Sequence, residues 1–283
     1  MKASPSSVRA ALDACGVRPS KRLGQNFLID ANILVRILDA AQAVGEKTVL
    51  EVGPGLGQVT SQLLDQGFEV HAVEYDHRLA SHLRQHLTQD TFYLTEGDAV
   101  DQPLGSLPPG SPFQIVSNLP YAITSPWLEK ILLESSTLPS AITLLLQLEA
   151  WERLIAPEGS KARGGLAILF TESFTPVWQQ RVPPRCFFPI PEVESVLVHA
   201  HRKPGGHRFA RPTVSIIRQL FQQRRKQIGK RLEKSIGSPP YRQLLNASAS
   251  RGLSPDSRPE DLSNQVWIAL DELLRDLPPD QKT

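Results

Sequence analysis

Thr48-Val49-Leu50-Glu51-Val52-Gly53-Pro54-Gly55-Leu56-Gly57 decides the architecture of this 283-residue chain. The first five residues are rich in apolar and β-branched side chains, glycine then recurs at every second position, and an amphipathic stretch follows to Gln66. A strand that turns through glycine into a helix opens a βαβ unit, because missing Cβ atoms let the backbone turn tightly and approach a ligand. Outward from it the alternation continues. Glu69 to Glu74 reads as a strand, Asp76 to Gln89 as a helix, Thr91 to Thr95 and Phe113 to Ser117 as strands, then a helix after Thr124 and a strand over Ala141 to Leu146. Strand and helix taking turns predict a parallel, doubly wound α/β sheet. Past Arg163 the texture changes: Gly164 to Ser173 reads as helix, Pro176 to Arg185 and Ser195 to Arg202 as two late strands pairing antiparallel at a sheet edge. Phe187 to Pro191 reads as a proline-punctuated loop between them.

Lys203-Pro204-Gly205-Gly206 breaks the pattern and marks a boundary between a sheet domain, 1–203, and a small all-helical domain, 204–283. Beyond it Val214, Ile217, Leu220, Phe221, Ile228 and Leu232 form one apolar stripe, and Ser257 with Glu260 reads as a capping box ahead of a last helix carrying Leu262, Val266, Leu270 and Leu274. The tail from Pro278 is expected to fray.

With 40% hydrophobic residues the chain can bury a core, and with 21% charged residues and no apolar run near the ~18 needed to cross a bilayer, membrane spanning and wholesale disorder are excluded. The net charge is only +2, yet His201 to Ser235 holds 11 basic residues and one acidic one, +10 against −8 elsewhere. That asymmetry points to a polyanionic partner for one part of the chain, most simply a nucleic acid. Cys15 and Cys186 belong to no CxxC or Cys/His cluster, so neither a disulfide framework nor a metal site is expected. Lys2, Arg9, Asp13, Arg18, Lys21 and Arg22 interrupt any secretory apolar core, which points to a cytoplasmic chain in a reducing compartment. Nothing demands more than a monomer.

A glycine loop of this spacing serves dinucleotide oxidoreductases and S-adenosylmethionine methyltransferases alike, and an ordinary βα turn has the same look. Glu74, ending the next strand, stands where either class places a carboxylate for ribose hydroxyls, or else is a solvated strand end. Glu51 separates the two cofactors: a carboxylate beneath the loop repels a pyrophosphate and attracts the ammonium of a methionine moiety. Asp98, after Gly97, is placed to accept from the exocyclic amine of the cofactor's adenine; a helix cap is the competing reading.

Asn118-Leu119-Pro120-Tyr121 closes the fourth strand at the carboxyl edge, where open α/β sheets put their ligands. An exocyclic aromatic amine is a poor nucleophile because its lone pair is delocalised into the ring. Acceptors on both N–H groups, from the Asn118 side chain and the Leu119 carbonyl, localise it, while Pro120 stiffens the turn and Tyr121 stacks on the ring. The alternative is a plain turn with an Asx bond and a buried tyrosine. Phe187 is a candidate for the second face of an extruded base, or is buried at the sheet edge.

Taken in order, these motifs resemble the ribosomal RNA adenine N6-dimethyltransferase family of the small-subunit type. The resemblance rests on Gly24-Gln25-Asn26-Phe27-Leu28, on Glu51 to Gly57, on Glu74 and Asp98, on Asn118 to Tyr121 followed by Pro126, on Phe187 to Ser195 as F-x-P-x-P-x-V-x-S, and on Gln223-Arg224-Arg225-Lys226. It implies a Rossmann-like S-adenosylmethionine methyltransferase sheet with helices on both faces and a small helical C-terminal domain. The implied reaction is dimethylation of two adjacent adenosines in the 3′-terminal hairpin loop of 16S rRNA in the small ribosomal subunit. It implies that Asn26, Leu28, Gly53, Gly55, Glu74, Asp98 and Asn118 line the cofactor site. The chain departs from the family at Leu148, where many members carry Lys, at Thr124-Ser125, and at Gly164-Gly165 after Arg163.

Arg224, Arg225, Lys226, Lys230, Arg231 and Lys234, read on one helix, resemble an electrostatic footprint for RNA phosphates, with a solvated helix face as the alternative. Three other functions stay open: a large-subunit rRNA methyltransferase conferring macrolide resistance, disfavoured by Leu119 and the basic C-terminal domain; a non-catalytic nucleic-acid-binding assembly factor, disfavoured by the intact tetrad; and a dinucleotide oxidoreductase, disfavoured by Glu51.

Overall fold

The computed structural model describes residues 4–20 and 23–277. Lys2, Lys21, Arg22 and the tail from Pro278 lie outside them. The strands are β1 (Phe27–Leu28), β2 (Thr48–Val52), β3 (Glu69–Glu74), β4 (Phe92–Glu96), β5 (Gln114–Asn118), β6 (Ala141–Gln147), β7 (Phe174–Val182), β8 (Phe187–Phe188) and β9 (Ser195–Arg202). The α-helices are α1 (Pro5–Ala14), α2 (Ala31–Val44), α3 (Gln58–Asp65), α4 (His77–His86), α5 (Thr124–Glu134), α6 (Leu148–Leu154), α7 (Gly165–Ser173), α8 (Arg211–Gln222), α9 (Gly229–Ile236), α10 (Ser238–Ser248) and α11 (Asn264–Asp276). No helix among the described residues is long and apolar enough to cross a membrane.

Seven strands form one sheet in the order β4-β3-β2-β5-β6-β9-β7. The first five run parallel, and β9 lies antiparallel to both β6 and β7. The order reverses between β2 and β5, and at such a switch point the loops leaving the two strands diverge and open a crevice. The expected Rossmann-like sheet and its late antiparallel pair are both present. Strands buried on two faces read as near-continuous apolar runs: Val49, Val70, Val116, Leu145 and Leu197 pack with Leu63 and Phe68 in one core. Each such side chain contributes about 1.5–3 kcal/mol through its burial. Caps set the helix ends. The Asp30 carboxylate accepts from the Asn32 and Ile33 amides to start α2, which stops at Gly45 in the left-handed region.

Phe27-Leu28 and Phe187-Phe188 pair antiparallel as a separate two-stranded sheet, where the sequence predicted a loop over Phe187 to Pro191 and no element at Phe27-Leu28. Two residues are too few to show alternation. The segment from Gly24 to Leu28 is thereby tied to the loop after β7.

The chain divides into two compact units, Met1–Trp151 with Phe174–Arg202, and Glu152–Ser173 with Lys203–Thr283. The second therefore recruits a segment that the single boundary after Lys203 assigns elsewhere. Its core joins Ile168 of α7 to Ile217, Leu220, Leu232, Leu244, Trp267 and Leu270. A Cβ on Gly165 would meet Ile217 Cγ2 at 2.8 Å, so the departure at Gly164-Gly165 includes a close approach of α8 to α7. Arg163 is buried and donates to the Leu262 carbonyl at 2.8 Å and to Asn264 Oδ1.

Two expectations for this unit are corrected. The apolar stripe spans two helices rather than one: Gln223 leaves helical geometry (φ −126°, ψ 46°). Arg231 then folds back, donating to the Leu220 and Gln223 carbonyls at 3.1 and 3.3 Å and closing the end of α8. Arg224, Arg225 and Lys226 consequently sit in the turn, and Lys230, Arg231 and Lys234 on α9. Ser257 and Glu260 form no capping box. Ser257 bonds within the turn from Gly252, Glu260 is buried facing Arg224 at 3.5 Å, and the last helix begins at Asn264.

Candidate active site

One cleft of about 250 Å³ opens at the carboxyl ends of β2, β3 and β5, and its walls come from segments far apart in sequence. It gathers Asn26, Leu28, Gly53, Gly55, Glu74, Asp98, Asn118, Leu119, Pro120 and Tyr121. Glycine geometry explains how these segments meet. Gly53 (φ +66°) passes so close to the tetrad that a Cβ would lie 2.7 Å from Pro120 Cγ, and a Cβ on Gly24 (φ +64°) would lie 2.9 Å from the Tyr121 amide nitrogen. Only glycine adopts such φ values without strain and leaves room for that approach.

Buried carboxyl groups form the floor. Glu51 accepts from Thr60 Oγ1 at 2.7 Å; burial, helped by the nearby charge of Glu74 and opposed by the Thr60 bond, pushes its carboxyl up to about 8. Glu74 accepts from the Gly55 amide at 3.0 Å and the Asp76 amide at 2.9 Å. Its carboxyl is also raised by burial, against the lowering effect of those amides. The end of β3 is therefore not solvated. Asp98, which lines the cleft, takes the Val100 amide at 2.8 Å through Oδ1, a local cap that leaves Oδ2 without a donor among the described residues.

The tetrad is oriented by a backbone acceptor. Asn118 Nδ2 donates to the Asn26 carbonyl at 2.8 Å, which fixes the amide because a carbonyl can only accept. Its Oδ1 is left without a protein donor among the described residues. The Leu119 amide is spent on Leu145, at 3.0 Å, and its carbonyl takes no donor among the described residues. Both residues line the cleft, so two acceptors belong to its wall. Tyr121 Oη lies 2.5 Å from Ser195 Oγ, and burial raises the phenol above its ordinary value.

Phe187 does not join them. It is 1% exposed, paired with Leu28 and packed among Cys186 and Val182, so burial at the sheet edge is the arrangement present. The basic residues lie in the second unit. Arg225, Lys226, Lys230 and Lys234 are exposed, whereas Arg224 is half-buried against Glu260.

Among the contributors to the cleft that sequence reading missed are two aromatic side chains and an amide. Phe27 lies where a Cβ on Gly55 would come within 3.0 Å of its ring, Gln25 lines the wall, and Tyr75, 57% exposed, stands at the rim directly after Glu74. Phe27 and Gln25 lay inside a quoted motif without a role, and Tyr75 carried no signal beyond its neighbour.

A seven-stranded sheet parallel but for β9, with a glycine loop leaving β2, an acid ending β3 and Glu51 buried beneath the loop, matches a Rossmann-like methyltransferase. Its particular kind follows from the whole sequence: the chain belongs to the ribosomal RNA adenine dimethylase family, whose model matches residues 17–275. It is 41% identical over 275 residues to ribosomal RNA small subunit methyltransferase A of Opitutus terrae, covering 95% of this chain and 98% of that one. A protein of the same name from Synechococcus sp. (strain JA-2-3B'a(2-13)) is 38% identical, covering 92% and 94%. The crystal structure of a dimethyladenosine transferase from Plasmodium falciparum has a TM-score of 0.67 at 23% identity, covering 86% of this chain and 95% of that one, and shares the fold.

Proposed function

We propose that this protein dimethylates N6 of two adjacent adenosines in the 3′-terminal hairpin loop of 16S rRNA, using S-adenosylmethionine, during small-subunit assembly in the cytoplasm. One observation carries the reading: Asn118, whose amide is turned by the Asn26 carbonyl so that Oδ1 is left to accept, lines the glycine-loop cleft together with Leu119. The full-length likeness to small-subunit enzymes supports the choice of RNA.

The residues present fit the cofactor. Gly53 and Gly55 hold positive φ against Pro120 and Phe27, where a Cβ would collide, so the loop offers bare backbone to a ligand, and Glu51 and Glu74 supply buried carboxyl groups where an ammonium and ribose hydroxyls need acceptors, Glu51 giving up its proton as the ammonium binds. S-adenosylmethionine, when bound, supplies a methyl group on a positively charged sulfur. Asp98 Oδ2 would accept from its adenine amine, and Asn26 and Leu28 would close the wall. On the RNA side, Asn118 Oδ1 and the Leu119 carbonyl each accept one N–H of the target amine in the first transfer, one of them accepts the single N–H that remains in the second, and Tyr121 stacks on the base in both. No protein base is needed, because the amine's acidity rises once it is alkylated and water can take the proton. Arg225, Lys226 and Lys230 take phosphates, and Arg224 ties their turn to Glu260. The protein acts as a monomer, and its free thiols Cys15 and Cys186 fit a reducing compartment.

The test is to incubate the protein with methyl-labelled S-adenosylmethionine and unmethylated small subunits, then identify the nucleosides by mass spectrometry. N6,N6-dimethyladenosine at two adjacent positions is expected. Recovery of no N6-methylated nucleoside, or of label only in large subunits, would overturn the proposal.

A further inference from the structure

The hydroxyls of Tyr121 and Ser195, 74 residues apart in sequence, lie 2.5 Å from one another. Ser195 is fully buried at the first position of β9, held between Gln147 of β6 and Val182 of β7. Tyr121 lines the cleft, and Ser195, itself buried, meets the ring at its hydroxyl end. At its other end Tyr121 is hemmed in at the backbone by Gly24, which has no room for a Cβ there. The ring is thus gripped at both ends.

We infer that Ser195 is a positioning residue for methyl transfer: its hydroxyl fixes the Tyr121 ring as the platform on which the target base is stacked. This rests on the function proposed above. A hydroxyl buried without a partner is costly, so each of these two holds the other in place. Among the described residues no carboxylate or imidazole bonds to either hydroxyl, and burial keeps the phenol protonated, so the pair is not a proton path. What it controls is geometry. A misplacement of about 1 Å between amine and methyl carbon is enough to cost on the order of 100-fold in rate, and a ring free to swing about χ1 and χ2 permits such an error.

The experiment compares wild type, Ser195→Ala, Tyr121→Phe and the double variant on unmethylated small subunits, with cofactor affinity measured by calorimetry. Ser195→Ala is expected to lower kcat about tenfold, the worth of one hydrogen bond in the transition state, and to leave the KM for subunits and the cofactor Kd within about twofold. Tyr121→Phe keeps the ring and severs the same link from the other end, so it should lose a similar factor. Adding Ser195→Ala to it should then change little. An unchanged kcat in Ser195→Ala would overturn the inference. So would a loss seen only in KM or cofactor affinity, or a second tenfold fall on the Tyr121→Phe background. Wild-type protein that leaves subunits unmethylated would sink the proposed function and this role with it, whereas an active wild type beside a fully active Ser195→Ala sinks this role alone.

Discussion

The cleft and the basic turn are held by different physics. Around the cleft, Gly24, Gly53 and Gly55 press against Tyr121, Pro120 and Phe27, and each contact requires both a missing Cβ and a left-handed backbone. At residues 223–228 the backbone is held by Arg231 and by the Arg224–Glu260 pair, while Arg225 and Lys226 extend freely into solvent. A steric requirement at a named residue leaves the chain one arrangement. A charge requirement is met wherever a long side chain can reach, so a run of charges says little about the backbone beneath it.

The contrast can be broken most sharply at Asn118. Asn118→Ala should cut methyl transfer to less than about a hundredth of wild type, the cost of deleting one preorganised acceptor, while cofactor affinity changes little. Equal losses in both would mean that the cleft does not separate the two jobs. Next comes Glu51, whose carboxyl is held up to about 8 by burial, against an ordinary 4.5. Below pH 4.5 folded and unfolded chains both keep the proton. Between 4.5 and 8 only the folded chain does, so stability falls as pH rises across that window and levels off above it. Glu51→Gln should flatten this slope in chemical denaturation at pH 5 to 8.5, and an identical slope in the variant would assign it to other groups.

Gly53→Ala should destabilise the protein by about 1–3 kcal/mol, through strain at positive φ and the contact with Pro120, and should weaken cofactor binding at least tenfold. Urea denaturation with calorimetry checks both, and a neutral result would show that the cradle is looser than its geometry. The mildest effect belongs to the other region. Replacing Arg225, Lys226 and Lys230 by Ala should lower the slope of log affinity for subunits against log salt by about 2, without altering cofactor affinity. An unchanged slope would remove this face from the RNA footprint.

The same division explains what could be read in advance. The run from Thr48 to Gly57 announced β2, its glycine turn and α3 because strand, turn and helix each impose their own residue types, and Asn118 to Tyr121 stood out because that composition at a strand end serves chemistry. The pairing of Phe27-Leu28 with Phe187-Phe188 could not be read, since two residues carry no period and the partner is about 160 positions away. Phe187 looked like a base platform by motif and turned out to be core, because a sequence motif does not say which face an aromatic takes. Ile228 and Leu232 continued the stripe of α8 although the chain breaks at Gln223, as apolar spacing is blind to a turn that keeps its phase. Ser195 was visible only as the last letter of a pattern, its partner being 74 residues distant.

Because α7 contributes Ile168 and Arg163 lodges among the carbonyls ahead of α11, the helical part of the molecule is assembled from two separated stretches of polypeptide. A fragment starting at residue 204 would be missing a structural wall and a guanidinium clasp. Its failure to fold or to bind RNA would report the cut, and swapping that part between related enzymes requires both stretches to travel together.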